Sequence, residues 1–228
     1  TQLQTAAAKV VEANGGKNVG AVRVPLSASD FSSFLLQAQG SGAQVLGLSN
    51  AGEDFTNSLK AANEFGITRT MRPAGLLVFI SDVHSLGLAN AKGMYLTTAF
   101  YWDRDDASRA WARKFQGHPD NKKKAMPTMV QAGLYSAVTH YLKAVQAAGT
   151  DDADAVIARM RATPVNDFFA RNGVIGPDGL HRHEMYLARV KAPEESKGPW
   201  DYYAVVKTIP AAEAFPTVEM QKCPLVRK

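Results

Sequence analysis

Hydrophobic positions along this chain change their spacing from segment to segment, and the changes mark out its elements. In "TQLQTAAAKVVEANGG" the residues Leu3, Ala6, Ala7, Val10 and Val11 share one face at helical spacing, and Gly15-Gly16 stops the run. The next apolar stretch, "VGAVRVP" at 19–25, reads as a buried strand. In "SASDFSSFLLQAQGSG" Phe31, Phe34, Leu35 and Ala38 fall at i, i+3, i+4 and i+7; Ser29 or Asp30 can cap this helix and Gly40 ends it. Residues 43–50, "AQVLGLSN", read as a strand. "GEDFTNSLKAANEFGI" follows as a helix with Phe55, Leu59 and Ala62 on one face and Gly66 at its end. Glu53 and Asp54 suit its positive N-terminus. Two further apolar runs, "AGLLVFIS" at 74–81 and "GMYLTTAFYW" at 93–102, predict a third and a fourth strand.

Strands alternating with helices of about a dozen residues imply βαβ units and a parallel sheet, whose strands are covered on both faces and read as continuous apolar runs. This pattern fills residues 1–100. The remainder is different. Asp105 or Asp106 can cap a helix with Ala107, Trp111 and Phe115 in line. A long helix begins near Pro127, with the stripe Val130, Leu134, Ala137, Tyr141 and Val145. A third helix, "DDADAVIARMRAT", ends before Pro164. "GPDG" at 176–179 is a β-turn signal. "EMYLARVK" and "YYAVVKTI" predict two strands joined by the polar loop 192–201.

The chain has 228 residues, 46% of them hydrophobic, enough for a real core. The net charge of +5 is scattered, and its one cluster, Lys122-Lys123-Lys124, reads as a solvated loop, so no nucleic-acid partner is expected. No run of 18 apolar residues is present to span a membrane, and no signal peptide is recognisable. The first helix has no cap or preceding strand, so the chain reads as one that begins inside a larger protein. A single cysteine, Cys223, is either a free thiol or half of a bridge.

Catalytic signatures are missing: there is no GxSxG, no GxGxxG and no P-loop, and no cofactor is expected. His181 and His183 alternate on an extended segment and could face one side, but a metal site needs a third ligand, so they read as a solvated turn and no metal is expected. "FYWDRDD", with Asp103, Asp105 and Asp106 after three aromatics, invites a hydrolase reading. Helix capping explains at least one of these carboxylates without catalysis. His140, in mid-helix, reads as a core or interface residue. In open α/β sheets, ligands bind outside the carboxyl ends of the strands. That rule places three loops at one edge: 25–27, then Ser49, Asn50, Ala51 and Gly52, and then 81–84 with Asp82 and His84. The second of these runs into a helix N-terminus, which favours anions. These loops hold small polar groups and no activated nucleophile, which suits binding rather than catalysis.

"SDFSSFLLQAQGSGAQVLGLSNAGEDFTNSLKAANEFGI" resembles the substrate-binding proteins of branched-chain amino acid ABC transporters, the type I periplasmic binding proteins. "GMYLTTAFYWD", "PTMVQAGLYSAVTHYLKAV" and "GPDG" match that family's later landmarks in order. The resemblance implies an α/β fold of two Rossmann-like lobes with parallel sheets joined by a hinge, the first lobe being incomplete in this chain. It divides the chain into 1–100 in the second lobe, 101–185 in the first, and 186–228 crossing back to the second. It implies a periplasmic protein, not an enzyme, that holds a small amino acid or carboxylate in the cleft between lobes and delivers it to a membrane permease. In the amino-acid-binding members the first lobe holds the carboxylate, through residues missing here, and the second supplies an acid for the ammonium; the candidate ligand-binding residues are Ser49, Asn50, Ala51, Gly52 and Asp82, the last as that acid, with Phe100 and Tyr101 on the cleft floor. The family's aromatic contact falls at Asn50-Ala51, where this chain has no ring. The resemblance also implies that Cys223 pairs with a cysteine outside this chain. The alternatives are a ligand-sensing domain of the same fold in a receptor or repressor, and an α/β hydrolase using the 103–106 cluster.

Overall fold

The computed structural model of the chain describes residues 2–221, 223, 224 and 226. In chain order its α-helices are α1 (Gln2–Ala13), α2 (Ser32–Gly40), α3 (Gly52–Glu64), α4 (Ile80–Leu86), α5 (Leu88–Ala91), α6 (Asp106–Gly117), α7 (Met129–Ala148), α8 (Ala153–Ala162), α9 (Ala211–Ala214) and α10 (Val218–Gln221). Its strands are β1 (Val45–Leu48), β2 (Arg72–Gly75), β3 (Tyr95–Thr98), β4 (Val174–Ile175), β5 (His181–Arg182), β6 (Met185–Val190) and β7 (Tyr203–Ile209). Two compact units result, one of Thr1–Thr97 with Ala188–Ala204, the other of Thr98–Leu187 with Val205–Lys228. The chain passes between them within β3, β6 and β7.

A five-stranded sheet runs in the order β1-β2-β3-β6-β7. Its β1-β2 and β2-β3 pairs are parallel, so the fold is α/β with a parallel sheet. In the first unit, α3 buries Phe55, Leu59 and Ala62 completely, at i, i+4 and i+7. Removing Phe55 and Leu59 from water contributes about 1.5–3 kcal/mol each. Helix α2 buries Phe31 and Leu35. Its N-cap residue is Phe31, and Asp30 accepts hydrogen bonds from the Ser32 amide (2.8 Å) and hydroxyl (2.5 Å).

Two predicted strands differ from the structure. Residues 19–25 form no strand, and all but the half-buried Val24 are exposed. No neighbouring strand pairs with their amides and carbonyls, and an apolar run alone does not make a strand. The run 74–81 is strand only as far as Gly75. There the Val78 side chain folds back against the backbone: a Cβ on residue 75 would lie 2.3 Å from Val78 Cγ2, so only glycine fits. The chain turns through 76–79 and enters α4, which buries Ile80, Val83 and Leu86. That helical face overlaps the apolar run in sequence, which is why the run reads as one long strand.

In the second unit Asp105 caps α6, accepting from the Ser108 amide at 2.8 Å. Trp111 stacks on Phe168, with ring centroids 4.3 Å apart. Helix α7 presents a different face to its neighbours from the one its large apolar residues predict. Val130 and Leu134 stay 56% and 64% exposed, while Ala132, Ser136, His140 and Ala144 are buried. Both sets have helical spacing. The small set faces α8 and the 165–170 segment, which approach closely: Ser136 donates to Asp167 (2.6 Å) and His140 Nε2–H to the Met160 carbonyl (3.0 Å). Among the described residues no helix is long and apolar enough to cross a membrane. Cys223 is half-buried, and the chain holds no second cysteine with which it could form a bridge within itself.

The "GPDG" turn closes a hairpin of β4 and β5, with the Gly179 amide bonded to the Gly176 carbonyl at 2.9 Å. Arg182 binds Asp178 through two nitrogens and reaches the Pro216 carbonyl. His181 and His183 are not a solvated turn. Their rings lie 4.9 Å apart, and His183 also meets Phe169 at 4.9 Å and Phe215 at 5.1 Å. His183 donates through Nδ1 to the Glu184 carbonyl, and His181 Nε2 is buried without a partner. Burial, with the His183 charge beside it, pushes His181 down to about 4, and burial lowers His183 as well.

This pair makes the fold acid-sensitive. Unfolded imidazoles take up protons near pH 6.5, while the folded His181 resists them down to about 4. The contribution of His181 to stability is therefore full above pH 6.5, falls as pH drops toward 4 by on the order of 2 kcal/mol, and levels below that. Urea unfolding at pH 7 and pH 5 will show a smaller difference for His181→Gln than for the parent. In the same assay at pH 7, Ala132→Leu on the buried face of α7 will cost about 1–3 kcal/mol.

Candidate ligand site

Strands β1 and β2 run in register, with Leu48 beside Gly75, so both end at one edge of the sheet. The Leu76 amide donates to the Leu48 carbonyl at 2.9 Å and draws the two following loops together. From Leu48 the chain passes through Ser49, Asn50 and Ala51 into α3. Ala51 is extended (φ −140°, ψ 166°) and its methyl side chain cannot accept a hydrogen bond, so no side chain caps the helix. Gly52 takes φ +58°, a left-handed angle that favours glycine. The first-turn amides of a 13-residue helix therefore face out from this edge with the positive end of its dipole. Of the two acids in that turn, Asp54 turns aside and accepts from the Ser27 amide at 3.1 Å.

Asn50 is held from behind. Its Nδ2 donates to the Asp54 carbonyl and the Ser58 hydroxyl, both at 3.0 Å, which assigns the amide's orientation. Its Oδ1 is buried and has no donor. Asp82 lies past the end of β2, inside α4 rather than in a loop. Its carboxylate accepts from the Phe79 amide at 2.8 Å and so caps that short helix. Burial pushes its pKa up, against the pull of that amide. Asp82 is the only carboxylate between 76 and 84, and it already has this structural role.

His84, two residues further along α4, has partners that its sequence surroundings do not announce. It stacks on Trp200 at 4.0 Å with planes 9° apart, and its Nδ1 lies 2.8 Å from the Tyr202 hydroxyl. Trp200 has φ +69°, rare for a residue with a side chain. More than a hundred residues separate these partners, and no local pattern links them.

Phe100 and Tyr101 lie in the second unit, apart from the Ser49–Gly52 group in sequence. Phe100 is 3% exposed and packs edge-on against Trp111 (5.5 Å) and Phe168 (5.8 Å). Tyr101, 4% exposed, meets Trp102 at 6.0 Å. The nearby carboxylates all have structural partners: Asp103 and Asp106 hold Arg109 at 2.9 and 2.7 Å, and Asp105 caps α6 while pairing with Arg104 and Arg171. Among the described residues no three His, Cys, Asp or Glu side chains are grouped to hold a metal ion.

A family model described as periplasmic binding protein matches residues 1–199. A solved periplasmic binding protein from Burkholderia mallei is 56% identical, with a TM-score of 0.90, over 98% of this chain and 58% of its own. A branched-chain amino acid ABC transporter periplasmic ligand-binding protein from Burkholderia xenovorans LB400 is 41% identical, with a TM-score of 0.88, over 98% and 59%. An ABC transporter solute-binding protein from R. palustris, solved with 4-hydroxybenzoate, is 22% identical, with a TM-score of 0.76, over 91% and 56%; that likeness is one of fold. No curated protein matches the chain. The chain spans a little under three fifths of the length of these solved proteins.

The capping role of Asp82 predicts a contrast between two substitutions. Its raised pKa means that the charge costs stability as pH rises through that value. In urea unfolding at pH 7, Asp82→Asn, which keeps an acceptor for the Phe79 amide, will match or exceed the parent. Asp82→Ala will lose about 1 kcal/mol.

Proposed function

Because the chain belongs to the periplasmic binding protein family, we propose that it is the greater part of a periplasmic solute-binding protein serving an ABC importer. Its solute is a small amino acid or carboxylate, which it delivers to a membrane permease without chemical change. One observation carries this reading. The ligand-binding protein of a branched-chain amino acid ABC transporter matches 98% of the chain at 41% identity.

The edge beyond β1 and β2 supports it. Uncapped amides at the start of α3 favour a negatively charged group, and a carboxylate is the charged group that amino acids and small organic acids share. Around them stand a serine, an asparagine and two small residues, none an activated nucleophile. Binding without turnover asks for no more. Asp82, as a helix cap, is a weak partner for an ammonium group, so the features of this edge address the negative end of the solute.

Calorimetric titration and thermal unfolding of the full gene product, with L-leucine, L-valine, 4-hydroxybenzoate and a neutral sugar, test the proposal. A cognate solute at one hundred times its Kd will add about 2.7 kcal/mol. If the sugar alone stabilises the protein, or no solute does, the reading is wrong. Ala51→Asp will set a carboxylate at the N-cap of α3. It will stabilise the helix by about 0.5–2 kcal/mol and weaken binding of the cognate carboxylate by about tenfold or more.

A further inference from the structure

A cavity of about 280 Å³ opens in the second unit between α7, α8 and the segment that follows α8. It shares no residue with the edge beyond β1 and β2. Ala144 and Val165, each 4% exposed, form part of an apolar wall. Its one acid, Asp167, is fully engaged: one oxygen accepts from the Ser136 hydroxyl at 2.6 Å, the other from the Phe169 and Ala170 amides at 2.8 and 2.9 Å. His140 Nε2–H is taken by the Met160 carbonyl. Two cations from different helices, Lys143 of α7 and Arg159 of α8, also line it, with the polar Thr139, Thr163 and Asn166. Among the described residues neither has an acidic partner.

Two cations without an acidic partner over an apolar wall, with the oxygens of the only acid already taken by their own donors, form a site for an anion with an apolar body. We propose that this cavity is a second binding site, for a small monocarboxylate. The guanidinium of Arg159 matches the two oxygens of a carboxylate, Lys143 adds a second donor, and the apolar wall takes the hydrocarbon part. The volume suits a molecule smaller than those held by drug-sized pockets, which start at roughly 300 Å³.

Nuclear magnetic resonance of the ¹⁵N-labelled full chain, titrated with sodium benzoate and separately with sodium phosphate, tests this. Benzoate will give saturable shifts at the amides of 139–147, 163 and 165–167, weakening as salt is raised. The double variant Lys143→Gln/Arg159→Gln, with both side chains exposed and no packing role, will keep the parent's circular dichroism and bind about tenfold or more weakly. Arg159→Lys will retain more of the affinity than Arg159→Gln. Equal binding by the double variant overturns the proposal, as does the lack of saturable shifts at those amides. Shifts confined to 49–52 would also overturn it, while favouring the solute site at α3. Phosphate bound as tightly as benzoate would reject the carboxylate assignment.

Discussion

The hydrogen bond from the Leu76 amide to the Leu48 carbonyl, 2.9 Å long, holds the ends of β1 and β2 level. In a parallel sheet each strand ends at the same edge, and each following helix begins there with its positive end outward. A slip of one residue in this register would turn the buried faces of the strands outward and move Ser49 and Asn50 away from the start of α3. The lack of a side chain at Gly75 is what lets the chain leave the sheet at that level, because Val78 occupies the space a Cβ would need. The candidate ligand site is thus a product of backbone geometry more than of any distinctive side chain.

The second unit is organised around a charge. Arg104 donates to the Phe168 carbonyl and the Tyr186 hydroxyl, both at 2.6 Å, and to Asp105 at 3.0 Å, and its guanidinium lies 5.1 Å from the centre of the Tyr186 ring. Asp105 in turn caps α6. Three distant stretches of chain therefore meet at one planar cation, which has enough donors in fixed directions to serve them all. The aromatics Phe100, Trp111 and Phe168 pack alongside. A stretch that looks catalytic by composition is built as a joint, with each carboxylate committed to a helix terminus or an arginine.

The two histidines of the hairpin show the same dependence on distant chain. Their alternation puts both on one side of an extended segment, as the sequence suggests. That this side is buried follows from Phe169 and Phe215, which no local rule brings there. Burial then decides their chemistry, making them hard to protonate rather than ligands for a metal or residues of a solvated turn.

Local sequence was sufficient for helices with a single apolar face and a stop signal, as in α3, for narrowing the cap of α6 to Asp105 or Asp106, and for the turn at 176–179. These features depend on residues within a turn or two of one another. The alternation of strand and helix, with the order of the landmarks, was sufficient for the α/β class and the family. Tertiary structure alone decided the rest. It left residues 19–25 unpaired, because a strand needs a neighbour. It divided "AGLLVFIS" between β2 and α4, because Gly75 admits Val78. It set the small face of α7 against α8 and the 165–170 segment, where Ser136 and His140 find hydrogen-bond partners that no local pattern announces. Each of these outcomes turns on groups far apart in the chain, and an apolar pattern records only that a residue favours burial, not which surface will cover it.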